Sequence, residues 1–359
     1  MKIVVLEPGA WGTSLGIILS RPRRKACGFL RGKKNEVSFW YENKELASKL
    51  SENRENERLP GIKIPKKIFI SSSLKKIIKN TDLVINASPS FNFRKTLLKI
   101  KNLKNLPPLL GIAKGIEKET LKLPSQIVEE IFGKIPYAHL SGPGFAKEIV
   151  RGKSAKEVIA SKNKPLLKKL KKLFAVEPLE VSTTTDLIGV ELAGALKNAL
   201  SIGISLVEAG VRNPGVEKIK KDLIQYRNKS KDLLRGEMSR RLIELGLEEV
   251  VKIGKAMGAK KETFFGPAGL GDLILTSTNP LSRNFQFGQN LLLNANKMRK
   301  EILERKITVE GFDNVFALHK LGQIYKLDLP MINEIYKAIY QKVSPRKIVQ
   351  NLIKLTEKA

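Results

Sequence analysis

The stretch KIVVLEPGAWGTSLGIILS (2–20) decides how the first half of this chain folds. KIVVL (2–6) is a strand, its residues 3–6 a continuous apolar run rich in β-branched side chains. Gly9 and Gly12 follow, and TSLGIILS then reads as a helix. A strand, a glycine turn and a helix opening at that turn make the first part of a dinucleotide-binding βαβ unit. Gly9 lets the backbone approach a pyrophosphate, and Gly12 lets helix pack closely on strand with the phosphates at the helix N-terminus. The complete G-x-G-x-x-G fingerprint would also have glycine at 7. Glu7 and Pro8 occupy the turn instead. A carboxylate about 6 Å from the phosphates, at an effective dielectric near 20, costs on the order of 3 kcal/mol unless it points away.

Outward from this turn, short apolar runs alternate with helical patterns. EVSFWY (36–41), KIFISS (67–72), TDLVINAS (81–88), PPLLGIAK (107–114), YAHLSG (137–142) and AKEVIAS (155–161) read as strands. NKELASKLSEN and LKKIIKN read as helices between them. The alternation predicts a doubly wound, mainly parallel α/β sheet of the Rossmann type. From Leu187 onward the pattern is helical, as in GEMSRRLIELGLEEVVKIGKAMG and NVFALHKLGQIYKL. SPRKIVQNLIKL opens with serine then proline, a good helix start. The expected division is a dinucleotide-binding domain, residues 1–186, and an all-α domain, residues 187–359.

Composition limits the function classes. The apolar fraction of 42% is that of an ordinary globular protein. No run approaches the roughly 18 uninterrupted apolar residues of a membrane span. The chain starts directly on a strand-like run, which predicts no cleaved leader. A single cysteine, Cys27, precludes an internal disulfide and fits a reducing, cytoplasmic setting. Only two histidines, His139 and His319, argue against a metal site built on imidazoles. Sixty-six Lys+Arg against 35 Asp+Glu give a formal charge of +31. The basic residues are spread along the chain without interleaved aromatics, so the charge names no specific nucleic-acid partner.

Several residues carry candidate chemistry. VELAGALKN (190–198) places Lys197 in an apolar helix, with Ala193, Gly194, Leu200 and Ser201 on its face. A lysine desolvated in a stretch with little else polar suits proton transfer; the alternative is one that snorkels from a helix edge. Glu42 ends the second strand, where an acidic residue bonds adenosine ribose hydroxyls and favours NAD over NADP; the alternative is a surface glutamate opening a helix. Turns at ASPS (87–90), AKGIE (113–117) and SGPGFAKE (141–148) follow strands, where ligands bind in parallel sheets. Lys114 stands beside Gly115, free to reach into a cleft. GPAGLGDLILTS (266–277) offers a backbone that approaches another segment closely, and its Asp272 is suited to capping a helix. SRN (282–284) presents a guanidinium and an amide together, suited to a phosphate. In TVEGF (308–312), Glu310 is placed to cap a helix or touch a cofactor.

Taken in order, AWGTSLG, ENRENERLPGIKIP (52–65), ASPS, AKGIE, LSGPGFAKE, GVELAGALKNAL, PAGLGDLILT, SRN and VEG resemble the NAD(P)-dependent glycerol-3-phosphate dehydrogenases. The resemblance covers nearly the whole chain. It implies a Rossmann-type domain and a helical domain that closes over the substrate, commonly as a homodimer. It implies hydride transfer between a nicotinamide and dihydroxyacetone phosphate, supplying glycerol 3-phosphate for phospholipids. By the resemblance Lys197 is the general acid/base, Lys114 the second lysine and Asp272 the nearby carboxylate. Lys114, Gly142, Gly144, Lys197, Asn198, Asp272, Thr276, Ser282, Arg283 and Asn284 are substrate ligands by the same resemblance, Arg283 and Asn284 on the phosphate. Gly9, Ala10, Trp11, Gly12, Glu42, Lys114, Ala146, Arg283, Thr308 and Glu310 correspond to contacts with NAD or NADP. No metal is implied.

The chain departs from the family pattern at Glu7-Pro8, at Gly144 in place of serine, and in expanded connections at 21–35 and 211–232. Two rival readings are another Rossmann/helical hydroxyacid-type dehydrogenase and a non-catalytic basic binding protein on the same scaffold.

Overall fold

The computed structural model describes residues 1–22, 35–212 and 231–358. Cys27 and most of the two expanded connections lie outside the described residues. The chain forms two compact units: Met1–Lys114 with Lys122–Glu191, and Gly115–Leu121 with Leu192–Ala359.

The first unit is built on an eight-stranded sheet. Its strands are β1 (Lys2–Leu6), β2 (Glu36–Trp40), β3 (Phe69–Ser71) and β4 (Leu83–Asn86), then β5 (Leu109–Gly111), β6 (Tyr137–Ser141), β7 (Ala155–Ala160) and β8 (Leu179–Thr184). Their order is β3-β2-β1-β4-β5-β6-β7-β8. All neighbours pair in parallel except β6 with β7. Helices α1 (Ala10–Leu19), α2 (Lys44–Asn53), α3 (Leu74–Ile77), α4 (Phe93–Leu98), α5 (Pro124–Phe132), α6 (Ala146–Val150) and α7 (Lys164–Phe174) connect the strands. The central strands are mainly apolar because both sheet faces are covered: Ile3, Val5, Phe39, Ile85, Leu110 and Leu140 lie in one core. β8 has no apolar run in its sequence, LEVSTT, because it is an edge strand with one half-exposed face.

The order reverses between β1 and β4, so the chain leaves the sheet in opposite directions from adjacent strands. Such a switch point opens a crevice beyond the carboxyl ends of the strands. The turns after β1, β4, β5 and β6 all lie at that edge.

The second unit holds helices only, among the described residues. α8 (Leu187–Arg212) starts in the first unit and continues into the second. α9 (Lys231–Ala256), α10 (Lys261–Phe265) and a short π-helical turn (Pro267–Gly271) follow. Then come α11 (Asp272–Thr278), α12 (Arg283–Leu303), α13 (Glu310–Ile324), α14 (Pro330–Tyr340) and α15 (Pro345–Lys358). α8 is long and apolar enough to cross a membrane, yet almost all of its apolar stretch is buried inside the structure, as in a core helix. Glu249 of α9 caps α14 by accepting the amides of Met331 and Ile332 at 2.6 and 3.0 Å.

Candidate active site

In the first unit, Glu7 adopts the backbone conformation that the fingerprint reserves for glycine, with φ +50°. Its carboxylate turns toward β2 and accepts the Glu42 amide at 2.6 Å. Burial raises its pKa above the ordinary carboxylate value, against the opposing effect of that amide bond. The Pro8 carbonyl is held by the Tyr41 hydroxyl at 2.9 Å and the Asn56 amide at 3.1 Å. Asn56 also donates to the Thr13 hydroxyl on α1, at 2.8 Å. The turn therefore keeps its shape without glycine at 7, and the carboxylate points away from the helix N-terminus.

Gly12 packs helix on sheet: a Cβ there would stand 2.6 Å from Ala87 Cβ. At Gly9 an added Cβ would meet, among the described residues, only the Arg58 guanidinium, at 3.7 Å, which leaves room for a ligand at the start of α1. The first-turn amides of α1 have no partner within the helix and can receive a pyrophosphate. Trp11 Nε1 donates to the Gly144 carbonyl at 3.3 Å, and the Ser14 hydroxyl to the Ala146 carbonyl at 2.9 Å. These bonds bring Trp11, Gly144 and Ala146 together, and Ala10 opens the same helix. Gly142 has no room for a side chain, since a Cβ would lie 2.4 Å from the Lys156 carbonyl. The Lys114 ammonium donates to the Gly142 carbonyl at 2.7 Å. A Cβ at Gly144 would press on Ile149 Cδ1 at 2.3 Å, so a serine there would need that side chain to move.

Glu42 is exposed and does not open α2, whose N-cap is Asn43. Its carboxylate pairs with Lys99 at 2.5 Å and Lys95 at 3.3 Å. The bond to Lys99 holds its pKa below the ordinary carboxylate value, with Lys95 adding to the effect.

In the second unit Lys197 is 8% exposed, but its surroundings are not merely apolar. Asp272 Oδ1 lies 2.6 Å from its Nζ, and the Thr276 hydroxyl accepts from it at 3.1 Å. The expectation of a lysine with little polar company is corrected here: its polar neighbours come from α11, far along the chain. Asp272 is also not the helix cap; Gly271 holds that position, and the Asp272 carboxylate is 1% exposed against Lys197. The glycines before it give the expected close approach, as a Cβ at Gly269 would stand 2.1 Å from the Phe264 carbonyl. Ser201, one turn beyond Lys197, bonds the Thr276 carbonyl at 3.0 Å and fixes α11 on α8.

The SRN segment is split by the structure rather than presented together. Ser282 caps α12 by accepting from Phe285, and Arg283 is exposed at the first helical position. Asn284 is buried; it donates to Asn198 Oδ1 at 2.8 Å and accepts from the Gly311 amide at 3.0 Å. Asn198 in turn donates to Glu310 at 3.4 Å. Glu310 is the first residue of α13 and does not cap it, the N-cap being Val309. Thr308 lies just before that helix, half-buried. Gly311 admits no side chain, since a Cβ would lie 2.3 Å from the Asn198 carbonyl.

Residues matching the N-terminal region of NAD-dependent glycerol-3-phosphate dehydrogenases span 2–167, and those matching the C-terminal region span 233–350. The enzyme named glycerol-3-phosphate dehydrogenase [NAD(P)+] from Nitrosomonas eutropha is 32% identical, with 98% of this chain and 97% of that one covered. That from Nitrosomonas europaea is 34% identical over 98% of this chain and 97% of its own. The chain belongs to the NAD-dependent glycerol-3-phosphate dehydrogenase family. The fold agrees: the glycerol-3-phosphate dehydrogenase of Coxiella burnetii superposes with a TM-score of 0.83 at 25% identity, covering 98% of each chain. A D-mandelate dehydrogenase bound to NADH has the same broad fold at TM-score 0.57 and 15% identity. As a family member, the chain is an oxidoreductase that uses NAD or NADP and interconverts dihydroxyacetone phosphate and glycerol 3-phosphate.

Sequence reasoning missed Tyr41, Asn56, Lys95 and Lys99 around the nucleotide turn, and Asn314. Asn314 accepts the Ile116 amide at 3.0 Å and donates to the Ala195 carbonyl at 3.0 Å, fixing 115–121 on the helices. No periodicity or spacing marks these residues, because each acts on a segment remote in sequence.

Proposed function

We propose that Lys197 is the proton donor to the substrate oxygen and that Asp272 and Thr276 orient it. The observation that supports this reading most is the Lys197–Asp272–Thr276 cluster, a buried ammonium held by one carboxylate and one hydroxyl. The reduced nicotinamide, when bound, supplies a hydride to C2 of dihydroxyacetone phosphate. Lys197 gives the accompanying proton to the C2 oxygen, and in the reverse direction takes it back. Asp272 keeps the ammonium in place, and the Lys114 ammonium adds positive charge for the developing alkoxide. Arg283, exposed at the N-terminus of α12, holds the substrate phosphate, so that binding energy orients the carbonyl. Asn284 acts with it by fixing Asn198 and Gly311, and Ser282 by capping the same helix.

For the dinucleotide, Gly9, Ala10, Trp11 and Gly12 would hold the pyrophosphate and Glu42 the adenosine ribose. Lys114, Ala146, Arg283, Thr308 and Glu310 would hold the nicotinamide side, and Gly142 and Gly144 would shape the substrate side. The working form is a cytoplasmic homodimer whose product feeds phospholipid synthesis. Dihydroxyacetone phosphate-dependent loss of NADH absorbance, compared between wild type and Lys197→Met, tests the reading. Turnover in the wild type with loss in the variant supports it, whereas undiminished turnover in the variant rejects Lys197 as donor.

A further inference from the structure

Glu42 stands in the position that discriminates between the two dinucleotides in this fold, and an isolated carboxylate there repels a 2′-phosphate. The carboxylate is not isolated. Lys95 lies on α4 and Lys99 is its C-terminal cap; both reach back across the sheet edge to Glu42, at 3.3 and 2.5 Å. The second carboxylate nearby, Glu7, is engaged with the Glu42 amide and is also influenced by Arg58. Three cations, Lys95, Lys99 and Arg58, thus face two carboxylates, Glu7 and Glu42, and the local balance is positive. Lys95 and Lys99 keep side-chain exposures of 65% and 41%, so neither ammonium is locked by packing. Each ammonium has three donors and uses only part of them on Glu42.

We propose that Lys95 and Lys99 are specificity-determining residues that let the adenosine end accept the 2′-phosphate of NADP as well as the ribose hydroxyls of NAD. With NAD, the lysines hold Glu42 toward the ribose hydroxyls. With NADP, the same ammonium groups turn to the phosphate and screen it from Glu42. The inference rests on the reading that places the adenosine ribose at the end of β2.

The test is calorimetric binding of 2′,5′-ADP and of ADP to the full chain, without substrate or turnover. The variants are Lys95→Ala/Lys99→Ala and Glu42→Gln. Wild type should bind both ligands. The double lysine variant should lose affinity for 2′,5′-ADP by at least about tenfold more than for ADP, the scale of one or two charge-assisted hydrogen bonds. Glu42→Gln should move the preference the other way, toward 2′,5′-ADP. Equal losses for the two ligands, or a wild type that binds ADP alone, would overturn the proposal. A wild type that binds neither ligand would reject the dinucleotide site itself, an outcome distinct from both.

Discussion

The Lys197 ammonium and the Asp272 carboxylate lie 2.6 Å apart, both nearly excluded from water, one on α8 and the other at the start of α11. Each makes the other's burial tolerable, because a buried charge is stable only when compensated. The pair also fixes where the ammonium sits, which a flexible four-carbon side chain does not do unaided.

Removing either member should therefore have different consequences. Lys197→Met should lower kcat by about 10²–10⁴-fold, the usual share of general acid–base catalysis. Asp272→Ala should lower stability by roughly 3–5 kcal/mol, since it leaves a buried ammonium without its counter-charge. Steady-state kinetics and urea denaturation measure the two effects. A Lys197→Met enzyme that is folded and turns over within threefold of wild type would contradict the assignment.

Arg283→Ala should raise KM for dihydroxyacetone phosphate by about 10–100-fold, the scale of hydrogen bonds to a charged group. At saturating NADH, turnover of dihydroxyacetone, which has no phosphate, should fall far less. Equal losses with both substrates would mean that Arg283 does not read the phosphate.

Glu7→Gln should leave affinity for NADH within about threefold of wild type, because the side chain bonds the Glu42 amide and faces away from the helix start. A carboxylate directed at the pyrophosphate predicts instead a gain of roughly a hundredfold on removing its charge. Fluorescence titration with NADH separates the two results.

Glu191 lies buried, accepting from the Ser125 amide and hydroxyl at 2.7 and 2.6 Å and from Tyr137 at 3.3 Å. Burial pushes its pKa up to about 8. The folded chain then holds this proton more tightly than the unfolded chain does, so its contribution to stability is lost as pH rises from the ordinary value of 4.5 to about 8 and is constant above that. His139, pushed down to about 3 by burial, acts in the opposite sense, but only below its ordinary value of 6.5. Glu191→Gln should therefore gain stability relative to wild type as pH rises from about 4.5 to about 8, with no further change above that. A constant difference in denaturation midpoint across that range would show that Glu191 does not titrate there.

Most of the sheet was legible because strands covered on both faces carry consecutive apolar residues rather than an alternation. KIVVL and LVIN announce themselves in this way, whereas LEVSTT does not, being an edge strand open to water on one face. Gly9 and Gly12 marked the turn, but how Glu7 replaces a glycine was not legible. The answer depends on the Glu42 amide and on Tyr41 and Asn56 around Pro8, all brought there by strand pairing.

The sequence by itself determined the fold class and the family, since these rest on local periodicity and on short ordered motifs. Only the tertiary structure decided the partners: Asp272 and Thr276 on Lys197, Lys95 and Lys99 on Glu42, and the separation of Arg283 from Asn284. The physical reason is the range of the interactions. Helix and strand patterns arise between residues a few positions apart. A charge is compensated by whichever group packing brings within about 3 Å, and that group can come from any part of the chain.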